Sequence, residues 1–319
     1  MKGYTKGMKK PHVQKKDPIS MLINSVKRDW SLYLLISPVI VYFIIFKYWP
    51  MYGVQIAFKN FMPSKGIWGS PWAGFKHFDR FFSNYQFWRL IKNTLGISVY
   101  QLTVGFPIPI FLALMLNEVR SKYLKKTVQM VTYAPHFLSV VVLVGMVLAF
   151  LSPQNGVINH ILALLGFEPI NFMTEAKWFK TIYVFSGVWQ NAGWGSIIYM
   201  AALAGIDTSL YEAAAIDGAS KFKRVIHITI PGILPTAIII LILESGKIMN
   251  VGFEKVFLMQ NSLNISASEI ISTYVYKRGL LGAQYSFASA VGLFNSVINL
   301  ILLITVNRIS RSTSQNSLW

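Results

Sequence analysis

Cysteine is absent from this 319-residue chain, and charge is scarce, with only 13% of residues Asp, Glu, Lys or Arg. The missing cysteines exclude disulfides, thiolate metal sites and cysteine nucleophiles, and say nothing else about compartment. The low charge excludes an ordinary soluble domain, which carries roughly 25% charged residues. No G-x-x-x-x-G-K-[ST] phosphate loop occurs, so the chain is not expected to hydrolyse ATP itself. The five histidines (His12, His77, His136, His160 and His227) are scattered, which speaks against a membrane enzyme built on a cluster of His, Asp and Glu. His136, beside Pro135, reads as a packed or hydrogen-bonded residue rather than a ligand. A cleavable signal is also missing: the first long apolar run begins near Leu32, and no small-residue cleavage site follows it. There is no strong internal repeat and no low-complexity tract.

What remains is apolar, with 54% hydrophobic residues and a mean hydropathy of +0.47. The apolar runs predict an all-α, polytopic membrane protein with spans at 31–49, 93–117, 127–151, 180–204, 233–251 and 286–307. Each is long enough to cross roughly 30 Å of hydrocarbon at about 1.5 Å per residue. Tyr48, Trp49 and Tyr52 close the first span, where an interfacial aromatic belt belongs.

The net charge of +18 invites a nucleic-acid reading, but its distribution explains it as topology. Eight of the thirty basic residues (Lys2, Lys6, Lys9, Lys10, Lys15, Lys16, Lys27 and Arg28) precede the first span. The short 118–126 loop carries Arg120, Lys122, Lys125 and Lys126, and the C-terminal tail carries Arg308 and Arg311. Loops 50–92, 152–179 and 252–285 are longer and less densely basic. The positive-inside rule then places both termini, 118–126 and 205–232 in the cytoplasm. Loop 50–92, with Lys59, Lys65, Lys76, Arg80, Arg89 and Lys92, fits least well, and its length weakens its vote. Three regions are expected: a basic tail with an amphipathic helix (1–30), a six-span domain (31–310) and a tail (311–319). In the first, Asp17-Pro18 starts a helix with Ile19, Leu22, Ile23, Val26 and Trp30 on one face. That face would lie on membrane lipid.

The spans carry helix breakers. Gly105 to Pro109 lie in the second, Pro135 in the third, and Gly187, Gly193 and Gly195 in the fourth. Broken helices in hydrocarbon are tolerated where neighbours or a watery cavity satisfy the backbone, which predicts kinked helices around a path. Polar candidates for that path are Trp189, Gln190, Asn191 and Trp194 in span four, and Glu244, Ser245, Lys247 and Asn250 in span five. Sugars need aromatic faces and polar side chains of this kind. Packing or interface anchoring fits the tryptophans as well, and an intrahelical ion pair fits Glu244 and Lys247 as well. An unpaired Lys247 would favour an acidic sugar. Tyr100 and Phe253 read as packing residues.

Loop 205–232 is the polar exception. Asp207-Thr208-Ser209 offers N-caps before Leu210, Tyr211 and Glu212, and Gly218 suits a left-handed helix stop. Ser220 can cap a second helix through Lys221 to Ile226, which Pro231 is expected to terminate. The alanines at 213–215 keep one face flat, and Glu212 and Asp217 offer charges to a partner. An ordinary capped connector between spans fits the helical pair alone equally well.

Order and spacing shift that balance. Glu212-Ala213-Ala214, then Gly218, Ile228, Ile230 and Pro231, resembles the Glu-Ala-Ala (EAA) motif of binding-protein-dependent ABC importer permeases. Ile230 replaces the usual Leu, and Val225 stands where many members have Phe. The runs Trp189 to Trp194, Asn250 to Lys255 and Asn307 to Ser310 are similar to carbohydrate permeases of the maltose-permease group, and more narrowly to an LplB-like branch associated with polysaccharide fragments. The resemblance covers residues 28–319.

It implies a type I importer (MetI-like) permease fold in a bacterial cell membrane. It further implies a second homologous permease, an ABC ATPase dimer that holds ATP and Mg, and an extracellular solute-binding lipoprotein. This chain would bind no cofactor, metal or nucleic acid. The residues expected to couple to the ATPase are Glu212, Ala213, Ala214, Asp217, Gly218, Ile228 and Pro231. A permease for a non-sugar solute and a stand-alone secondary transporter are the alternatives. The second would need coupling carboxylates within its spans, and only Glu244 lies clearly inside one.

Overall fold

The computed structural model describes residues 27–314 and Leu318. The expected amphipathic face at Ile19, Leu22, Ile23 and Val26 lies outside the described residues. Among the described residues there are helices and one isolated bridge, Lys59 to Trp72, but no strand. The chain divides into two compact units, Met1–Gln55 and Ile56–Trp319.

In the first unit, α1 (Trp30–Phe43) buries none of its residues. It continues through a π turn (Ile44–Tyr48) into one apolar stretch, Trp30–Phe58. A helix that is apolar all round needs an apolar surface to cover it.

The second unit is arranged around α8 (Ala176–Ala204). This helix packs on α3 (Phe87–Gly105), α4 (Pro107–Glu118), α5 (Lys122–Tyr133) and α11 (Ile230–Ser245). At 29 residues it is long enough to span, yet it is not among the helices apolar enough to pass as one unaided. Its central place explains this, because protein neighbours rather than lipid face its Ser, Gln and Asn side chains. Among the described residues, Trp30–Phe58, Phe87–Glu118, Lys221–Ser245 and Tyr285–Ser312 are the four helices that pass on length and apolarity.

The breakers of the third and fourth spans behave differently. The third span is not one rod. Lys122–Phe137 and Val140–Phe150 meet at 105°. Pro135 sits in a 3₁₀ turn (Ala134–Phe137), Leu138 is extended, and the Ser139 hydroxyl accepts the Val142 N–H to start α6 (Val140–Phe150) afresh. Gln190 donates to the Leu138 carbonyl at 3.1 Å, satisfying an acceptor that the bend frees.

The glycines of span four, in contrast, break nothing, and α8 is continuous through Gly187, Gly193 and Gly195. They serve contact instead. A Cβ at Gly193 would lie 2.1 Å from the Thr132 carbonyl oxygen on α5, and one at Gly195 would lie 3.3 Å from Pro109 on α4. In hydrocarbon, helices associate by close packing rather than by expulsion of water, so small residues at crossings carry the association.

Three apolar cores follow from these crossings. Ile97, Val144, Phe179, Val184, Val256 and Ile270 form the first, joining α3, α6 and α8 to α12 (Phe253–Met259). Phe81, Leu90, Phe287 and Val291 anchor the second on α14 (Tyr285–Ser314), close to α13 (Ile271–Tyr276). Ala113, Tyr199, Leu203, Ile233 and Ala237 make the third, at the α4–α8–α11 crossing.

Candidate functional site

The polar segment after α8 folds as its capping residues dictate. Asp207 accepts the Ser209 N–H at 2.9 Å and starts α9 (Thr208–Ile216). That bond holds the Asp207 carboxyl below the ordinary carboxylate range. Gly218, at φ +74, ends the helix, and Ala219 N–H reaches back to the Ala214 carbonyl at 2.8 Å. Ser220 accepts the Lys223 N–H and starts α10 (Lys221–Arg224).

Pro231 does not stop this second helix, contrary to the expectation. A π turn (Val225–Thr229) follows α10, and Pro231 falls in the first turn of α11, where its missing N–H removes no needed bond. Segment and span are thus one stretch, Lys221–Ser245.

Glu212, Ala213, Asp217, Gly218 and Pro231 are exposed, and Ala214 and Ile228 are half-buried. Ile216 and Phe222 present large apolar side chains on this surface at 87% and 73% exposure. Sequence reasoning missed the clamp that holds the pair together. The Tyr211 hydroxyl meets Thr229 Oγ1 at 3.1 Å, and Thr229 is buried and also donates to the Arg224 carbonyl. Tyr211→Phe is expected to weaken the pair by about 1 kcal/mol, the usual net value of one hydrogen bond. Roughly fivefold faster tryptic cleavage at Lys221, Lys223 and Arg224, with the other helices intact, would report it.

A cavity of about 600 Å³ lies between α3, α4, α8, α11 and the chain leaving α11. Asn191, Trp194, Glu244, Lys247 and Asn250 line it; Trp189 and Gln190 do not. Lys247 Nζ lies 3.4 Å from Glu244 Oε1, so the lysine is paired, and the premise of an unpaired Lys247 does not hold. The helix ends at Ser245 rather than near 251, so Lys247 and Asn250 belong to the turn after it. Asn250 Oδ1 accepts from Asn295 at 2.7 Å and from Asn299 at 3.1 Å, both on α14. Those bonds hold the unwound turn in place.

Trp194 is not merely packed. His136 stacks on it at 4.6 Å with the rings 4° apart, and His136 Nδ1 lies 3.1 Å from Asn191 Oδ1. His136 thus joins two lining residues from the bend of the third span. Ser98 and Gln101 also line the cavity, with Gly105 beyond them on the same face of α3. Their helical spacing in an apolar run was the signal that could have found them. Tyr100 packs in the first core, and Phe253 stacks on Phe257 and meets the Tyr276 ring at a tilt. A second cavity of about 560 Å³, beside α13 and α14, has no charged residue in its lining. Among the described residues no three His, Asp or Glu side chains gather as a metal site.

Comparison with known proteins places this geometry. Residues 105–315 match the family of binding-protein-dependent transport system inner membrane components. The chain is 46% identical to protein LplB of Bacillus subtilis over 92% of its own length and 93% of that protein's. It is 41% identical to the polygalacturonan/rhamnogalacturonan transport system permease protein YteP of the same organism, over 96% and 95%. It is also similar to a chain in the crystal structure of a bacterial alginate ABC transporter in complex with an alginate pentasaccharide-bound periplasmic protein. There the TM-score is 0.86 at 42% identity, covering 92% of this chain and 99% of that one. The match over two thirds of the chain, and the likeness over nearly all of it, make this a multi-pass member of the binding-protein-dependent transport system inner membrane component family.

Proposed function

We propose that this permease imports acidic oligosaccharides, fragments of uronate-containing polysaccharides, as one half of a permease pair. The observation that carries the reading is the cavity, where an aromatic face, amides and an ion pair meet inside an otherwise apolar bundle. Trp194 offers a sugar ring a stacking surface, Gln101 and Asn191 offer hydrogen bonds, and the Glu244–Lys247 pair leaves the lining without net charge of its own. Polygalacturonan and alginate, the cargoes named for two relatives, are both polyuronates.

Both termini and the 205–232 segment lie in the cytoplasm on this reading, following the density of Lys and Arg. The exposed α9–α10 surface then docks an ABC ATPase subunit, with Ile216 and Phe222 covered by it and Glu212 facing a basic group. ATP and Mg belong to that partner, and this chain, without a phosphate loop, contributes motion and a path. α11 continues directly from α10, so displacement of the docked pair moves a cavity wall as a unit. A solute-binding protein delivers cargo from the opposite side on this reading; the alginate transporter is found in complex with an alginate pentasaccharide-bound periplasmic protein.

Lys247→Ala tests the cargo. Removing the lysine leaves Glu244 unpaired at the cavity wall, where it repels a carboxylate and not a neutral sugar. Uptake of an oligogalacturonate should fall roughly fivefold more than uptake of its methyl-esterified counterpart, a modest factor because the pair is half exposed. An equal effect on both substrates would sink the acidic-cargo reading.

A further inference from the structure

We propose that Lys255, buried behind the cavity wall, sets the carrier's preference for anionic over neutral saccharides. The proposal rests on the acidic-cargo reading above and names the charge that selects it. Lys255 lies on α12 and is only 8% exposed. Its ammonium donates to the Tyr183 carbonyl at 2.8 Å and stands 4.6 Å from the centre of the Tyr183 ring. The carboxylates in the ion pairs among the described residues are all taken by other cations. Held by a carbonyl and a ring face alone, this buried amine has no carboxylate to compensate its charge when it is protonated.

The place of that charge gives it a role. Gly187 lines the cavity, and a Cβ at Gly187 would lie 3.2 Å from the Lys255 nitrogen. Gly187 therefore stands both in the cavity lining and against the ammonium. Within the lining, Glu244 and Lys247 pair with each other and cancel. The net positive potential in the cavity comes from behind its wall, where low dielectric lets a single charge act at a distance.

Burial also pushes the Lys255 amine down to about 7. A carboxylate bound in the cavity favours the charged form, and by reciprocity the charged form favours the carboxylate. Of the elements packed on α12, α6 carries no titratable residue and α13 brings Tyr274 and Tyr276. From α8 come Lys177, Lys180, Tyr183 and Tyr199, and Glu254 beside Lys255 is exposed. None of these is an acid turned toward the ammonium.

The test uses the complete importer in proteoliposomes, with an oligogalacturonate and its methyl ester as substrates. Selection by the binding protein is common to all variants and cancels in the comparison. Lys255→Met should cut the preference for the acid about tenfold, through the KM of the acid and not the maximal rate of the ester. Tyr183→Phe, which keeps the ammonium and its carbonyl partner, should retain the preference. In the unmodified importer the preference should weaken as pH rises through about 7, because the amine then loses its proton. This profile needs no substitution and reads the same charge. Equal losses for both substrates in Lys255→Met, or a flat pH profile, overturn the proposal while leaving the acidic cargo intact. An unmodified importer that shows no preference for the acid overturns the cargo reading itself.

Discussion

Glu212→Lys is expected to leave the chain folded and inserted while lowering ATP-driven uptake at least about a hundredfold. The fold should survive because Glu212 is exposed on α9 and takes part in none of the ion pairs among the described residues. The helix itself is held by the Asp207 cap and the Gly218 stop, which the substitution does not touch. The loss should be large if, as proposed above, an ATPase subunit covers this surface and sets a basic group against the carboxylate. Reversing a charge at a covered contact costs roughly 3–5 kcal/mol, which is a factor of a hundred or more. Membrane insertion by carbonate extraction, ATPase retention by pull-down and uptake in proteoliposomes separate the stages. Insertion without uptake is the expected pattern, and normal uptake would contradict the coupling role.

Gly193→Ala is expected to be the most destabilising single-methyl change in the bundle. The added carbon would stand 2.1 Å from the Thr132 oxygen and 2.4 Å from its carbonyl carbon. Both atoms are backbone and cannot rotate away, so α5 and α8 must separate. Overpacking of this kind costs about 3 kcal/mol, enough to displace the bend that follows α5. Gly145→Ala is the control: nothing lies within 4 Å of its added carbon, and it sits exposed inside α6. There the alanine should be neutral or stabilise by about 0.5–1 kcal/mol through helix propensity. Thermal unfolding of both variants in detergent measures the contrast. Equal midpoints would remove close approach as the reason for glycine at 193.

The segment at 205–232 was legible because its chemistry is local. Asp207, Gly218 and Ser220 each act on backbone within four residues, so reading them in order reproduces α9, its stop and the start of α10. Pro231 misled for a related reason. A proline ends a helix when it removes a needed N–H, but after a π turn Pro231 sits in the first turn of α11, where none is removed. The Tyr211–Thr229 clamp spans eighteen residues and has no local signature.

The cavity was only partly legible. Hydropathy located four helices apolar enough to span among the described residues but not α8, and rare polar residues in or beside the expected spans flagged Asn191, Trp194, Glu244, Lys247 and Asn250. Trp189 and Gln190 belong to the same run and point elsewhere, because successive residues on a helix face about 100° apart. His136, 55 residues from Asn191, reaches the site only because its span bends.

The sequence by itself determined a polytopic helical membrane protein, the order of its spans and a capped, exposed helical pair. Apolar length and capping chemistry are properties of neighbours along the chain, and the bilayer imposes the rest by forbidding unpaired backbone. Only the tertiary structure decided that the glycines of α8 are contact points, that Lys247 is neutralised by Glu244, and that Lys255 stands unpaired behind Gly187. Those outcomes depend on how each helix is rotated and where it crosses its partners. Packing between residues distant in sequence sets both, so no local pattern carries them.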